Sequence, residues 1–321
     1  IYSPFFETLS DAIPEKLSQC IVSGNEIQTI ASMCNATNSL DFSIMERTAF
    51  TKMYKKAKEK GTEAISMEYD IPQEEVEVLL PSLIVLNRLL KYTVNDSILL
   101  SNVLLSDAVM FEMLFPKEAS FVVKAYEEFT LQSATSIAER FGRDIGHISR
   151  VSSVAIEIYD KMKKLHGYKS RERTLLQVSA ILQDIGKYVN VKNHALLSYN
   201  TITNLDIVGI NDHERLIIAT VCYYHNGNIP SMDSPIYNQL SQEDRVMVSK
   251  LAAILQISNA INTSHSPKFE QVSVNMKNGK LNIYLTTLKN INLEKWAFIA
   301  KSKLFREVYG LNATIIKRGV L

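Results

Sequence analysis

The sequence predicts a multi-domain α+β protein in which helices predominate. Strand-like and helical patterns alternate from residue 19 to a helix that ends near Phe115. Beyond that point the apolar residues recur at helical spacing as far as about Ile261. Residues 271–285 then alternate apolar and polar side chains around an Asn-Gly pair, the pattern of a β-hairpin. These two changes of period predict three domains.

The first domain begins with a βα unit. A strand over residues 19–23 leads through Gly24 and Asn25 into a helix that carries Ile27 and Ile30. The next predicted elements are a lysine-rich helix at 51–60, a helix from Pro72 to residue 90, a buried strand at 97–101 and a helix at 106–115.

The second domain is predicted to be entirely helical. One long helix has an apolar face formed by Val151, Val154, Ala155, Ile158 and Met162, with His147 at its N-terminal end. Further helices are expected at 173–185, 212–224 and 242–262. The C-terminal part adds the hairpin, a helix at 293–309 closed by Gly310, and a strand at 313–317.

The composition excludes several classes of protein. The 321 residues are 46% hydrophobic, which is enough for proper cores, and 35 basic residues against 34 acidic ones give a net charge of +1. We therefore expect no specific nucleic-acid partner. Three scattered cysteines favour a reducing cytoplasm over a disulfide framework or zinc knuckle. The N-terminus has neither a basic region nor a long apolar stretch, so no signal peptide or membrane span is expected.

An ordered set of polar residues in the helical part carries a family resemblance. The set is His147, Gln183-Asp184, Asn193-His194, Ser198-Tyr199 and Tyr224-His225. On these residues the chain resembles the exopolyphosphatase/guanosine pentaphosphate phosphohydrolase (Ppx/GppA) family. The resemblance implies that residues 1–130 are the second part of an actin-like (ribonuclease H-like) α/β phosphatase domain. It also implies an HD-like helical domain at 131–266 and a hairpin, helix and strand extension at 267–321.

The resemblance also implies an activity, a cofactor and partners. Members of the family hydrolyse terminal phosphoanhydride bonds of polyphosphate or guanosine pentaphosphate with Mg²⁺, and a homodimer can form. The family's catalytic acid and first phosphate loop match no residue of this sequence and are expected upstream of Ile1, so no catalytic residue is identified. Ser23, Gly24 and Asn25 correspond to a phosphate-binding loop, although Glu26 competes for the same helix dipole. A second family loop corresponds to residues 101–107, whose apolar side chains predict packing instead of ligand contact.

The HD-like cluster implied by the resemblance comprises His147, Gln183, Asp184, His194, His225 and Asn259. Gln183 replaces the histidine of the His-Asp doublet, and Asn259 replaces a closing carboxylate. With two ligands lost we expect no tightly bound metal. His147 and Asp184 are either a residual metal or phosphate site or a buried hydrogen-bonded pair that fixes two helices. His194 and His225 either line a cavity or are polar residues at helix ends.

Two hypotheses about the function remain. The chain is either the C-terminal part of a Ppx/GppA-type phosphatase, inactive by itself, or a non-catalytic relative that binds a ligand or partner. The lysines of residues 52–60 and the basic residues of 161–173 are either tracks for polyphosphate or solvated helix faces. Trp296, Phe298 and Phe305 are expected in the core, and His166, His213 and His265 on the surface.

Overall fold

The structure, a computed structural model, describes residues 16–38, 42–277 and 279–319. Its residues divide into two compact units after Ser120. The predicted boundary at residue 130 thus falls inside one helix, Ser120–Arg140. Among the residues described, no helix combines the length and apolar character needed to cross a bilayer.

The first unit contains a four-stranded mixed sheet. Its strands are β1 (Ile21–Val22), β2 (Thr37–Asn38), β3 (Phe42–Glu46) and β4 (Ser97–Ser101), in the order β1-β4-β3-β2. β1 pairs parallel to β4, and the other pairs are antiparallel. β1 and β4 lie where strands were predicted. β2 and β3 were not predicted, because so short an alternation beside a helix start is a weak strand signal.

Four helices accompany this sheet: α1 (Asn25–Met33), α2 (Arg47–Tyr69), α3 (Gln73–Leu89) and α4 (Leu105–Leu114). α2 bends at Gly61, whose φ of 78° favours glycine. Ile30, Phe50, Leu83, Ile98 and Leu100 are almost fully buried in the core of the unit. The Arg47 guanidinium donates hydrogen bonds to backbone carbonyls of Leu90, Thr93 and Asn95, which fixes the segment that leads into β4.

The second unit is built around one central helix. Its helices are α5 (Ser120–Arg140), α6 (Ile145–Lys161), α7 (Lys163–His166), α8 (Ser170–Leu182), α9 (His194–Ile202), α10 (Asp212–Tyr224), α11 (Pro235–Asn238) and α12 (Gln242–Ile261). α12 packs against α6, α8 and α10, and most of its residues are buried. Burial of this apolar surface is the main source of the unit's stability.

The C-terminal segment adds a small sheet and two helices. β5 (Gln271–Lys277) and β6 (Lys280–Thr286) form the predicted antiparallel hairpin, and β7 (Asn312–Arg318) pairs parallel to β6. Gly279 has the positive φ that its turn requires, whereas Asn278 lies outside the described residues. The predicted helix at 293–309 is two helices, α13 (Asn292–Lys301) and α14 (Lys303–Tyr309). Leu281, Ile283 and Leu285 are buried in the same core as α12, so this extension shares one core with the helical bundle.

Two expectations about single side chains were wrong. Trp296 is 71% exposed, because the buried face of α13 is the one that carries Glu294, Ala297 and Phe298. Phe298 and Phe305 are buried as expected. His166 is also buried instead of lying on the surface. His166 can be buried because backbone groups form hydrogen bonds with both of its ring nitrogens and a tyrosine ring packs against it.

The His166 ring is held in its neutral form. Its Nε2 donates to the carbonyl of Tyr159 at 2.9 Å, and its Nδ1 accepts from the amide of Tyr168 at 3.0 Å. The Tyr159 ring lies 4.1 Å away between centroids. Burial lowers the pKa of His166, and Lys250 adds to that effect, although the Tyr159 carbonyl, Glu172 and Asp160 oppose it.

We therefore predict that protonation of His166 destabilises the fold. Because the pKa of folded His166 lies below its unfolded value of about 6.5, its contribution is complete above that pH and is lost as the pH falls toward the folded pKa. The midpoint of urea unfolding should fall between pH 7 and pH 5. The fall should be smaller in His166→Gln, which cannot titrate. An equal fall in both proteins would contradict this assignment.

Candidate metal centre in the helical unit

Asp184 is positioned by a tight turn at the end of α8. The chain passes from α8 into a 3-10 turn, Ile185–Tyr188, and Asp184 lies at the junction. The fully buried Ser198 of α9 ties this junction together. Its hydroxyl accepts from the Gly186 amide and donates to the Gln183 carbonyl, each at 2.9 Å. The backbone on both sides of Asp184 is thus fixed to α9.

Gly186 allows the 3-10 turn to approach α9 closely. A Cβ at this position would overlap the His194 carbonyl oxygen and the Ser198 amide nitrogen, and would lie 2.8 Å from the Leu197 Cβ. These atoms belong to the first turns of α9 and cannot move independently. The missing side chain at Gly186 therefore determines how near His194 comes to Asp184.

Asp184, His194 and His225 form a group that we name the metal group. One ligand atom from each residue lies within 4.8 Å of the other two, and all three residues are buried. Nε2 of His225 lies 3.2 Å from Oδ1 of Asp184, and Nε2 of His194 lies 3.6 Å from the same oxygen. Lys187 donates to the other oxygen, Oδ2, at 2.7 Å. Three separate segments of the chain thus meet at one carboxylate.

The two histidines are held in the tautomer of metal ligands. Nδ1 of His194 bonds the Val191 carbonyl at 2.7 Å, and Nδ1 of His225 bonds the Cys222 carbonyl. A carbonyl only accepts, so each Nδ1 carries a proton, and in the neutral form of each ring Nε2 presents a lone pair. Oδ1 of Asp184 has no hydrogen-bond partner among the described residues. Three acceptor atoms thus face one another, an arrangement that a cation would stabilise.

The protonation of the group suits this arrangement. Burial would raise the pKa of Asp184, but the neighbouring His225 ring and Lys187 ammonium hold it well below its usual range. Burial, with a contribution from His225, lowers the pKa of His194. Near neutral pH Asp184 is therefore an anion and His194 a neutral base. A charged carboxylate and a neutral imidazole are the forms that bind metal ions.

Two other members of the predicted cluster are buried without hydrogen-bond partners among the described residues. His147 and Gln183 are 4% and 1% exposed, and their side-chain nitrogen and oxygen atoms lack hydrogen-bond partners among the described residues. The His147 ring stacks on His265 at 3.9 Å, and burial together with His265 lowers the pKa of His147 to about 4. A hydrogen bond between His147 and Asp184, one of the two expected alternatives, is thus not formed. The histidine nearest to Asp184 is His225.

The metal group differs from the set of ligands considered in the sequence. That set comprised His147, Gln183, Asp184 and Asn259. Because Gln183 and Asn259 are neutral amides, no bound metal was expected. Asn259 is half-buried in the last turn of α12, and the metal group does not include it. His194 and His225 were expected either to line a cavity or to be polar residues at helix ends, and not to be metal ligands. No spacing could have identified them as ligands, because they begin one helix and end another.

The two segments of the first unit that correspond to family phosphate loops carry acids at their helix starts. Ser23 and Gly24 precede α1 and Asn25 begins it, but the Glu26 carboxylate lies 3.7 Å from where a Cβ on Gly24 would be. At the second loop, Asp107 accepts from the Leu104 amide and so occupies the start of α4. Val103 and Leu105 of this loop are exposed, so the packing expected for residues 101–107 is wrong for both.

The two basic segments are partly neutralised by acids. In α2, Lys56 and Lys60 both pair with Glu68. In the second segment, Arg171 pairs with Glu214 and Arg173 with Asp160. These arginines join neighbouring elements of the helical unit, which reduces the positive charge they offer to a polyanion.

We predict that Gly186→Ala damages the metal group. Overpacking against α9 should lower the free energy of unfolding by at least about 2 kcal/mol and displace His194 from Asp184. Gly319→Ala is a control, because its Cβ would meet open space. Chemical denaturation of both variants measures the effect. Equal stability of the two would show that α9 yields easily to the added methyl group.

Most of the second unit matches the model of a known protein family. Residues 131–304 match the family model described as Ppx/GppA phosphatase, domain III, which covers more than half of the chain. The match includes every residue of the metal group together with Lys187 and Ser198. It confirms the family that the polar residues of the helical part indicated. This chain belongs to the Ppx/GppA phosphatase family.

Proposed function

We propose that this chain is part of a phosphohydrolase that cleaves terminal phosphoanhydride bonds of polyphosphate or guanosine pentaphosphate. We also propose that its helical unit binds one divalent metal ion. The observation that carries the second part is the convergence of two imidazole lone pairs on Oδ1 of Asp184. Family membership supports the first part.

The donor atoms favour a first-row transition ion over Mg²⁺. Two imidazole nitrogens and one carboxylate suit Zn²⁺, Mn²⁺, Fe²⁺ or Co²⁺, whereas Mg²⁺ prefers oxygen ligands and retains several waters. The Mg²⁺ expected for hydrolysis by the family is therefore a separate requirement. It belongs with the phosphate loops of the α/β domains, and we propose no Mg²⁺ at the metal group.

Each residue of the site has a distinct task in this proposal. When bound, a divalent ion supplies a Lewis acid that polarises a phosphoryl oxygen. Lys187 holds Oδ2 of Asp184 and so directs Oδ1 toward the histidines. The carbonyls of Val191 and Cys222 keep the imidazoles in the ligand tautomer. Three protein ligands leave coordination positions open for a further ligand.

We also propose the finer architecture that the resemblance implied. The first unit would be part of an actin-like α/β domain, which is supported by its parallel β1–β4 pair and the antiparallel strands beside it. The second would be an HD-like helical domain, supported by the approach of histidines from the ends of α9 and α10 to Asp184. Cytoplasmic localisation is part of the same proposal.

A second function is favoured by the acidic loops of the first unit. Glu26 and Asp107 place carboxylates at the two helix starts where the family would bind phosphate. Such loops repel anions, which suits a relative that binds a ligand through its helical unit without hydrolysing it. The two functions share the metal group and differ in whether phosphate is released.

We predict that the purified, metal-depleted protein binds one Zn²⁺ or Mn²⁺ per chain. Because changes to the partners of metal ligands already cost about 10–100-fold in affinity, His225→Ala and Asp184→Asn should weaken binding by at least about 100-fold. His213→Ala is the control, since His213 is exposed and outside the metal group. Calorimetric titration measures all four proteins. Absence of saturable binding in the unaltered chain would refute the metal site.

The chain alone should release little phosphate from polyphosphate in the presence of Mg²⁺, because no described residue forms an uncrowded phosphate loop. A full-length member of the Ppx/GppA family serves as the positive control. Phosphate release is measured as a function of chain concentration. Robust turnover by the unaltered chain would contradict this prediction, and turnover that survives Asp184→Asn would show that the metal group is not the active site.

A further inference from the structure

We propose that a phosphate group binds beside the metal group, held by Lys187, Lys301 and the side chains of Gln183 and His147. We name these four residues the anion subsite. This inference rests on the proposed metal site and specifies the chemical class of its ligand: a free phosphate or the phosphate end of a larger molecule.

Lys301 is a half-buried cation that lacks a compensating contact. It is the last residue of α13, and its Cγ lies 3.8 Å from where a Cβ on Gly227 would be, two residues beyond His225. Among the described residues it forms no hydrogen bond or salt bridge. Burial lowers the pKa of Lys301, the Asp184 carboxylate opposes this shift, and the Lys187 ammonium adds to it. An ammonium withdrawn from water without a partner is costly, so an anion there would stabilise it.

The charges of the occupied site point to an anionic ligand. The ammonium groups of Lys187 and Lys301 and a divalent ion together bring four positive charges, while Asp184 supplies one negative charge. Three positive charges would then remain in a largely buried region. A phosphate monoester or inorganic phosphate, with a charge of about −1.5 to −2 near neutral pH, removes most of this excess.

The orphaned groups favour a phosphate over a carboxylate. Gln183 and His147 are buried with side-chain nitrogens that donate to no described residue. Leaving such donors unsatisfied is costly, so a ligand that accepts from them would stabilise the buried side chains. A tetrahedral phosphate can accept from these donors and both lysines and still offer an oxygen to the ion. A carboxylate has only two oxygens to share.

Titration of inorganic phosphate into the Co²⁺-loaded full chain tests this inference. The visible spectrum of bound Co²⁺ reports a change of its ligands, and calorimetry gives the phosphate affinity. Since hydrogen bonds to charged groups are worth about 1.5–3 kcal/mol, Lys301→Met should weaken phosphate binding by at least about tenfold without changing Co²⁺ affinity. Lys301→Arg should retain part of the affinity. Lys295→Met, an exposed lysine of the same helix, is the matched control.

Gln183→Met provides a second measurement that does not involve a lysine. It keeps the side-chain volume and removes the buried amide, so it should weaken phosphate binding and leave the metal-free protein at least as stable. Normal Co²⁺ binding with unchanged phosphate affinity in Lys301→Met and Gln183→Met would overturn the anion subsite alone. Absence of Co²⁺ binding by the unaltered chain would overturn the metal site and, with it, this inference.

Discussion

The helical unit depends on a single buried carboxylate that several segments share. Oδ1 of Asp184 faces the imidazoles of His194 and His225, while Oδ2 accepts from Lys187. The segments that carry these groups start one helix, end another and form the turn between helices. A buried charge is tolerated only with such compensation. The packing of these segments brings the three side chains together around the Asp184 carboxylate.

The backbone contributes as much to this point as the side chains do. Ser198 joins the Gln183 carbonyl to the Gly186 amide, and Gly186 leaves room for the first turns of α9. The carbonyls of Val191 and Cys222 then fix which imidazole nitrogen faces Asp184. With Gln183 in place of a histidine the cluster has one metal ligand fewer, but the arrangement of Asp184, His194 and His225 does not depend on that side chain. The chain can therefore belong to the family and retain the metal group although Gln183 replaces the histidine of the His-Asp doublet.

Regular elements were predictable where periodicity was strong. The apolar face of α6, the start of α10 and the β5–β6 hairpin follow directly from spacing, and the polar residues from His147 to His225 indicated the correct family. β2 and β3 were missed because their patterns are short. The break at Ser302 was missed because the apolar spacing continues on both sides of it.

The site was only partly predictable, for a different reason. Asp184, His194 and His225 were all singled out, but their grouping depends on tertiary contacts across 42 positions of chain, from 184 to 225 inclusive. The burial of His166 and the exposure of Trp296 depend in the same way on which face of a helix meets the core. Lys301 was not predicted as a site residue, because a lysine that ends an amphipathic helix is ordinarily solvated.

The most direct test of the metal site is the anomalous diffraction of a crystal of this chain grown with Zn²⁺. Data collected on both sides of the zinc absorption edge identify a bound ion as zinc. The proposed metal site predicts one anomalous peak at about 2.0–2.2 Å from Nε2 of His194, Nε2 of His225 and a carboxylate oxygen of Asp184. Well-ordered density for these three side chains, with no anomalous peak between them at saturating Zn²⁺, would contradict it.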